Sequence, residues 1–308
     1  MKKKCIVMLS GGLDSRLAIK IMQEQNFEVL SLFFKLPVGT GCCDENCSFS
    51  FSQTHGVKLK IFDCTKKKLL DEYLSLIKKP KYKRGAGINP CIDCRIFMFK
   101  KAREFADKNK IDLIVTGEVL GERPMSQKRK AMDIIEDEAG LKGRLLRPLS
   151  AKLLEETEAE KKGLVNRKKL YNIEGRNRKN QMELAKKFNI TYPTPAGGCL
   201  LCEKELIKRF NTLLKRKLNE DTINLIGVGR HFIIDNIWVV LGRNQKENKI
   251  IEFIGKKYNL IIPEFMGPSA VVLDKYNKKF KEKINELIIA YSKKGNLNDR
   301  KKFEKWKL

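Results

Sequence analysis

A strand-length apolar run at residues 5–9 delivers the chain into Ser10-Gly11-Gly12-Leu13-Asp14-Ser15, and from there into an amphipathic helix beginning near Arg16. The glycines let the backbone come close to a ligand. The helix start presents unpaired N–H groups at the positive end of its dipole, and Ser10 and Ser15 add hydroxyl donors. A strand, turn and helix of this composition cradle phosphate. Asp14 stands out among them, because a carboxylate belongs beside phosphate oxygens only when a cation lies between. The Gly-Lys-Ser/Thr ending of a kinase-type phosphate loop is missing, which argues against phosphoryl transfer.

Strand-like runs at residues 5–9, 28–34, 57–63 and 111–116 alternate with helical patterns at 16–25, 66–78 and 94–108. That alternation is the signature of a parallel sheet covered by helices. Ligands of such sheets sit beyond the carboxyl ends of the strands, so the Ser-Gly-Gly turn, Phe34, Cys64 and Thr116-Gly117-Glu118 are expected to converge on one crevice. A polar, charge-rich section follows, with a short apolar stretch at 145–149 and a helix near 180–188. Tyr192-Pro193-Thr194-Pro195-Ala196-Gly197-Gly198 breaks regular structure and presents Cys199 on a constrained loop. From residue 203 the pattern changes to a basic helix, two short strands meeting at Asp235-Asn236, and a lysine-rich helical tail. The expected organisation is an α/β parallel-sheet domain over residues 1–202 and a smaller α+β domain over residues 203–308.

The chain has 308 residues and sets 64 Lys and Arg against 37 Asp and Glu, a net charge of +27 that calls for a polyanionic partner. Nucleic acid is favoured over an anionic membrane surface. No apolar run approaches the roughly 20 residues of a membrane span, and the basic residues 1–4 lead into a short strand rather than a signal peptide. A cytoplasmic location without membrane association is therefore expected. In that compartment nine cysteines do not read as a disulfide framework. Cys91-Ile92-Asp93-Cys94 and Cys199-Leu200-Leu201-Cys202 are two Cys-x-x-Cys pairs, which also fit a structural zinc site. Cys42, Cys43 and Cys47 read as thiols of a variable loop, and Cys5 and Cys64 as buried packing residues. His55 and His231 lack Cys or Asp partners at ligand spacing and read as ordinary polar residues, with an RNA-facing alternative for His231.

Taken in order, residues 10–15, Asn89-Pro90-Cys91-Ile92-Asp93-Cys94, Gly117-Glu118 with Arg123-Pro124-Met125-Ser126-Gln127, Arg147-Pro148-Leu149-Ser150, Gly175-Arg176-Asn177-Arg178-Lys179, and Pro195-Ala196-Gly197-Gly198-Cys199 resemble the motifs of PP-loop ATP pyrophosphatases. Within that group they are similar to tRNA thiouridine synthetases of the 2-thiouridylase and 4-thiouridine synthase families. The resemblance spans about two-thirds of the chain. It implies that Ser10, Gly11, Gly12, Leu13, Asp14, Ser15, Phe34, Gly117 and Gln127 bind ATP with Mg²⁺. The uridine oxygen would be adenylated and then replaced by sulfur, with 4-thiouridine at position 8 preferred over 2-thiouridine. Cys91, Cys94 and Cys199 would be the catalytic cysteines beside Asp14. Cys91 stands where 2-thiouridylases carry an aspartate, which favours a [4Fe–4S] cluster on these three thiols. The rival arrangement is a persulfide on Cys199 resolved by Cys94. Arg123, Arg176, Arg178 and Lys179 would meet tRNA. Hydrosulfide or a persulfide carrier would donate sulfur, and the assembly is open to a homodimer.

Gly229-Arg230-His231-Phe232, Gly242-Arg243-Asn244-Gln245-Lys246-Glu247-Asn248 and Gly267-Pro268-Ser269-Ala270-Val271-Val272 resemble the small RNA-binding domain of the NFACT family over about a quarter of the chain. The resemblance implies RNA contacts from Arg230 and Arg243. Leu260-Ile261-Ile262-Pro263 replaces the aromatic and histidine features usual in the middle of that domain.

Overall fold

The computed structural model describes residues 3–39, 45–193, 199–216 and 218–308. The expected turn at residues 194–198 and the thiols Cys42 and Cys43 lie outside the described residues. The chain divides into two compact units, Met1–Cys202 and Glu203–Leu308.

The first unit is built on a five-stranded sheet of β1 (Lys3–Met8), β2 (Phe27–Lys35), β3 (Lys58–Asp63), β4 (Ile114–Thr116) and β5 (Leu145–Leu146) in the order β3-β2-β1-β4-β5. Every pairing in it is parallel. Its helices are α1 (Leu13–Gln23), α2 (Glu45–Thr54), α3 (Lys67–Lys78), α4 (Cys91–Lys108), α5 (Arg129–Ala139), the single turn α6 (Glu158–Lys161) and α7 (Lys179–Lys187). One face of the sheet packs Cys5, Val7 and Val115 against Leu17, Ile21 and Ala185 of α1 and α7. The other packs Ile6, Leu32 and Ile114 against Phe99, Ala102 and Ile135 of α4 and α5. Burial on both faces explains why the central strands β1 and β4 carry continuous apolar runs rather than alternating ones. The chain runs outward from β1 through β2 to β3, then crosses back to β4 on the other side of β1. The crevice between the ends of β1 and β4 is therefore the point where strand order reverses, the usual ligand position in an open parallel sheet.

The second unit is a four-stranded antiparallel sheet, β6 (Arg230–Ile234), β7 (Ile237–Leu241), β8 (Asn259–Ile261) and β9 (Ala270–Val272), in the order β6-β7-β9-β8. Its helices are α8 (Ile207–Lys215), α9 (Glu220–Leu225), α10 (Gln245–Gly255), α11 (Lys278–Ala290) and α12 (Leu297–Glu304). The β6–β7 hairpin closes through Asp235 and Asn236 with φ of 48° and 64°, the left-handed pair that a two-residue turn between right-twisted strands requires. Among the described residues no helix is long and apolar enough to cross a membrane.

His231 does not face RNA. It is fully buried, its Nδ1 accepts from Trp238 Nε1 at 3.1 Å, and its Nε2 meets the carbonyls of Val228 and Leu225 at 2.9 and 3.1 Å. Burial, with Arg209 and Arg243 nearby, pushes its pKa down to about 3. The folded state thus binds fewer protons than the unfolded one below the ordinary histidine value of 6.5. Stability of this unit is expected to fall as pH drops below 6.5, by several kcal/mol once pH reaches about 3. Both tryptophans, Trp238 and Trp306, lie in this unit, so denaturant titrations followed by tryptophan fluorescence isolate it. A midpoint unchanged between pH 7 and pH 4 would contradict the assignment.

Candidate active site

Helix α1 begins at Leu13, earlier than the sequence pattern suggested, and Gly12 caps it without any side-chain hydrogen bond. Its first N–H groups therefore remain available to an anion. Gly11 adopts φ 81°, a left-handed conformation that glycine takes without strain. Its carbonyl accepts from Arg16 Nε at 2.7 Å, while Arg16 Nη1 reaches Thr191 O at 2.7 Å and Nη2 reaches Cys47 Sγ at 3.0 Å. Cys47 is disulfide-bonded, unlike the incidental loop thiol expected. Ser15 Oγ donates to Gly12 O at 2.8 Å and accepts from Ser10 N at 3.3 Å, so the two serines tie the loop together. Gly117, after β4, comes so close that a Cβ there would lie 2.4 Å from Asp14 C and 2.5 Å from Ser15 N. Gly117→Ala is expected to displace the loop and weaken ATP binding by at least about tenfold, because backbone cannot yield as a side-chain tip can. Nucleotide titration by calorimetry checks this, and wild-type affinity would refute it.

The loop forms one wall of a cavity of about 750 Å³. Ser10, Gly12, Leu13, Asp14, Ser15, Phe34, Gly117, Arg123 and Gln127 all line it, as do Cys91, Cys94 and Cys199. Phe34 is backed by Phe62, stacked at 4.9 Å. Gln127 is buried and accepts from Arg123 N at 3.0 Å, which shapes the turn carrying Arg123. Arg178 also lines the cavity, pairing with Glu122 and standing 3.7 Å from Asp14 Oδ2. Arg176 and Lys179 are exposed. In the second unit Arg230 donates to Gly242 O at 3.1 Å and lies over the Tyr291 ring, while Arg243 pairs with Glu247.

Asp14 is pushed up to about 6, first by burial and then by the Glu122 carboxylate, against the pull of Arg178 and Arg123. Asp14 Oδ1 and Glu122 Oε2 are both buried without a hydrogen-bond partner. Two such carboxylate oxygens beside a phosphate loop suit a divalent cation, whose remaining ligands would be phosphate oxygens and water. Glu122 escaped the sequence reading, although it lies directly between two motif segments.

Pro90 ends the approach to α4, so Cys91 and Cys94 share the first turn of that helix, which begins three residues before the expected start. Asn89 Nδ2 donates to Cys91 Sγ at 3.0 Å, and Cys94 Sγ meets Tyr73 Oη at 3.7 Å. Burial pushes Cys94 up to about 11 and Cys199 up to about 12, so both are protonated thiols at neutral pH. Cys199 Sγ lies 3.9 Å from Cys202 Sγ, and Cys202 lines the same cavity. Among the described residues no three His, Cys, Asp or Glu side chains are grouped to hold a metal ion. The expected cluster on Cys91, Cys94 and Cys199, and zinc on the two Cys-x-x-Cys pairs, are thus not shown by the arrangement of these thiols, although all four cysteines line the one cavity.

A tRNA-specific 2-thiouridylase MnmA from Petrotoga mobilis is 32% identical over 142 residues, covering 38% of this chain and 36% of that protein. One from Karelsulcia muelleri is 25% identical over 287 residues, covering 86% of this chain and 66% of that protein. The match spans about a third of the length of the first such relatives. A 4-thiouridine synthetase solved with RNA and ATP overlays 61% of this chain and 51% of its own at 20% identity and a TM-score of 0.37, too loose a likeness to bear on function. Residues 3–158, half of the chain, match the family described as the tRNA methyl transferase HUP domain. These residues hold β1 to β5, the phosphate loop and the Cys91–Cys94 turn, and the chain belongs to that family.

Proposed function

We propose that the protein is an ATP-dependent tRNA thiolase that adenylates a uridine carbonyl oxygen and replaces it with sulfur. The observation that carries this reading is one cavity with the phosphate loop on one wall and Cys91, Cys94 and Cys199 on another. The names of the curated relatives support the same class of reaction. The loop N–H groups and Ser10 would hold the phosphates, Phe34 would pack against the nucleotide, and Asp14 with Glu122 would hold Mg²⁺, which supplies charge neutralisation as pyrophosphate departs. Adenylation turns a carbonyl oxygen into a good leaving group, and AMP leaves when sulfur attacks. No step is assigned to an iron–sulfur cluster. Iron and acid-labile sulfide in anaerobically purified protein, lost together in Cys91→Ala, Cys94→Ala and Cys199→Ala, would assign a cluster to these thiols.

Residues 203–308, read as an NFACT-type RNA-binding domain, would grip tRNA through their surface lysines together with Arg230 and Arg243, the latter exposed although paired with Glu247. Each phosphate neutralised adds about 0.7 to 0.9 to the log–log salt slope of binding. The deciding experiment is nucleoside analysis of tRNA incubated with the protein, ATP and a sulfur donor, with chromatography separating 4-thiouridine from 2-thiouridine. The sequence resemblance favours the first and the named relatives the second. Neither product, with no pyrophosphate released, would overturn the reading.

A further inference from the structure

We propose that Cys202 is a catalytic thiol, the resolving partner that closes a disulfide with Cys199 and releases the thiolated nucleotide. This rests on the tRNA thiolase reading and assigns the step to a residue outside the Pro-Cys-x-x-Cys pair. Cys199 and Cys202 face one cavity with their sulfurs 3.9 Å apart, at van der Waals contact, and neither is in a disulfide. The turn that carries them is fixed from several sides. Cys202 N–H donates to Cys199 O at 2.8 Å, Ile88 N–H donates to Leu201 O at 3.0 Å, and Leu200 N–H reaches Val38 O at 3.3 Å. Gly87 lies against the same Leu201 carbonyl, where a Cβ would come within 2.2 Å. Small side-chain rotations on a held backbone are then enough to bring the two sulfurs to bonding distance. Cys94, the resolving residue expected from sequence, is on another element and directs its sulfur to Tyr73 Oη.

The step balances with two outside reactants, a persulfide carrier as sulfur source and a dithiol as reductant. A persulfide carrier leaves sulfane sulfur on Cys199, and its terminal sulfur attacks the adenylated carbon. The carbon–sulfur bond forms as the carbon–oxygen bond to AMP breaks. Cys202, as thiolate, then attacks Cys199 Sγ. The Sγ–Sγ bond forms, the bond from Cys199 to the transferred sulfur breaks, and its electron pair leaves with that sulfur as the thiocarbonyl. The Cys202 proton passes to water. Two thiols have lost two electrons, the sulfane sulfur has gained them, and a dithiol reductant restores the pair for the next cycle.

The test uses full-length protein loaded with glutathione persulfide, mixed with ATP and tRNA lacking thiouridine, quenched with an alkylating agent after one turnover and mapped by peptide mass spectrometry. Wild type and Cys94→Ser are expected to show an intrapeptide Cys199–Cys202 disulfide. Cys202→Ser is expected to release no thiolated tRNA on its own and to accumulate tRNA disulfide-linked to Cys199, released by added dithiol. A Cys94–Cys199 disulfide in wild type, or wild-type turnover by Cys202→Ser, would overturn the assignment while leaving thiolation standing. Loss of cluster iron on Cys202→Ser would overturn it in favour of a ligand role. Absence of thiouridine from the wild-type reaction would remove the thiolase reading itself, and the relay with it.

Discussion

Asp14→Asn is expected to abolish pyrophosphate release and at the same time to raise the melting temperature of the ligand-free protein at neutral pH. Both effects come from one placement. The carboxylate is largely buried beside Glu122, and its pKa rises from 3.8 to about 6, so the folded protein binds more protons than the unfolded chain between those values. Ligand-free stability from this group is greatest below pH 3.8 and is lost as pH rises through 6. The difference is roughly 3 kcal/mol for a shift of about two units. Asparagine imitates the protonated form and recovers much of that at pH 7, several degrees in melting temperature for a unit of this size. The gain should shrink as pH is lowered towards 4, where wild-type Asp14 is itself mostly neutral. Activity should show the reverse dependence, falling as pH drops through 6, because a protonated Asp14 cannot face a cation. Thermal melts and pyrophosphate assays of both proteins across pH 4 to 8 check the pair of predictions. Full activity in the variant, or a melting temperature equal to or below wild type at pH 7, would show that Asp14 does not carry this strain.

The destabilised carboxylate also marks where the sequence could and could not be read. The phosphate loop was legible because its determinants are local: an apolar run, two glycines and a helix start within a dozen residues. The hairpin at Asp235 and Asn236 was legible for the same reason, as turn chemistry sits in the turn. Helix α5 was passed over as part of a charge-rich section, although Ala131, Met132, Ile135 and Ala139 are buried at helical spacing along it. Only four apolar anchors among many charges mark that face, and the sheet beneath is what makes them sufficient. Glu122 beside Asp14, the Cys199 to Cys202 contact, and the burial of His231 against Trp238 depend on which loops and strands meet. No short-range pattern encodes those meetings. The sequence assigned Arg178 to tRNA, since an arginine among arginines reads as a phosphate contact. In the structure it enters the cavity and pairs with Glu122, so removing it should leave Asp14 and Glu122 without their nearest cation.

Arg147→Met is expected to destabilise the first unit by about 3–5 kcal/mol, the cost of breaking a buried ion pair from one side. Arg147 follows β5, its side chain is 4% exposed, and it holds two carboxylates at once. Its Nε donates to Glu118 Oε2 at 3.2 Å and its Nη1 to Glu136 Oε2 at 2.7 Å. Glu118, itself 2% exposed, stands at the end of β4 on the cavity wall, where Arg95 Nε is the other cation, at 3.5 Å from Oε1. Removing Arg147 would leave Glu118, in a region too dry to solvate it, to Arg95 alone, and Glu136 with only the Gly143 N–H at 3.3 Å. Glu118 would then be drawn towards Arg95 and the cavity, linking a stability defect to the placement of Gly117 and the phosphate loop. The double variant Arg147→Met/Glu118→Gln should recover part of the loss, since an uncharged amide tolerates the site that an unpaired carboxylate does not. A thermodynamic cycle over the two positions measures that coupling by denaturant unfolding. A loss below about 1 kcal/mol for Arg147→Met, the range of exposed surface pairs, would show that the pair is solvated and that β4 and β5 are joined by packing alone.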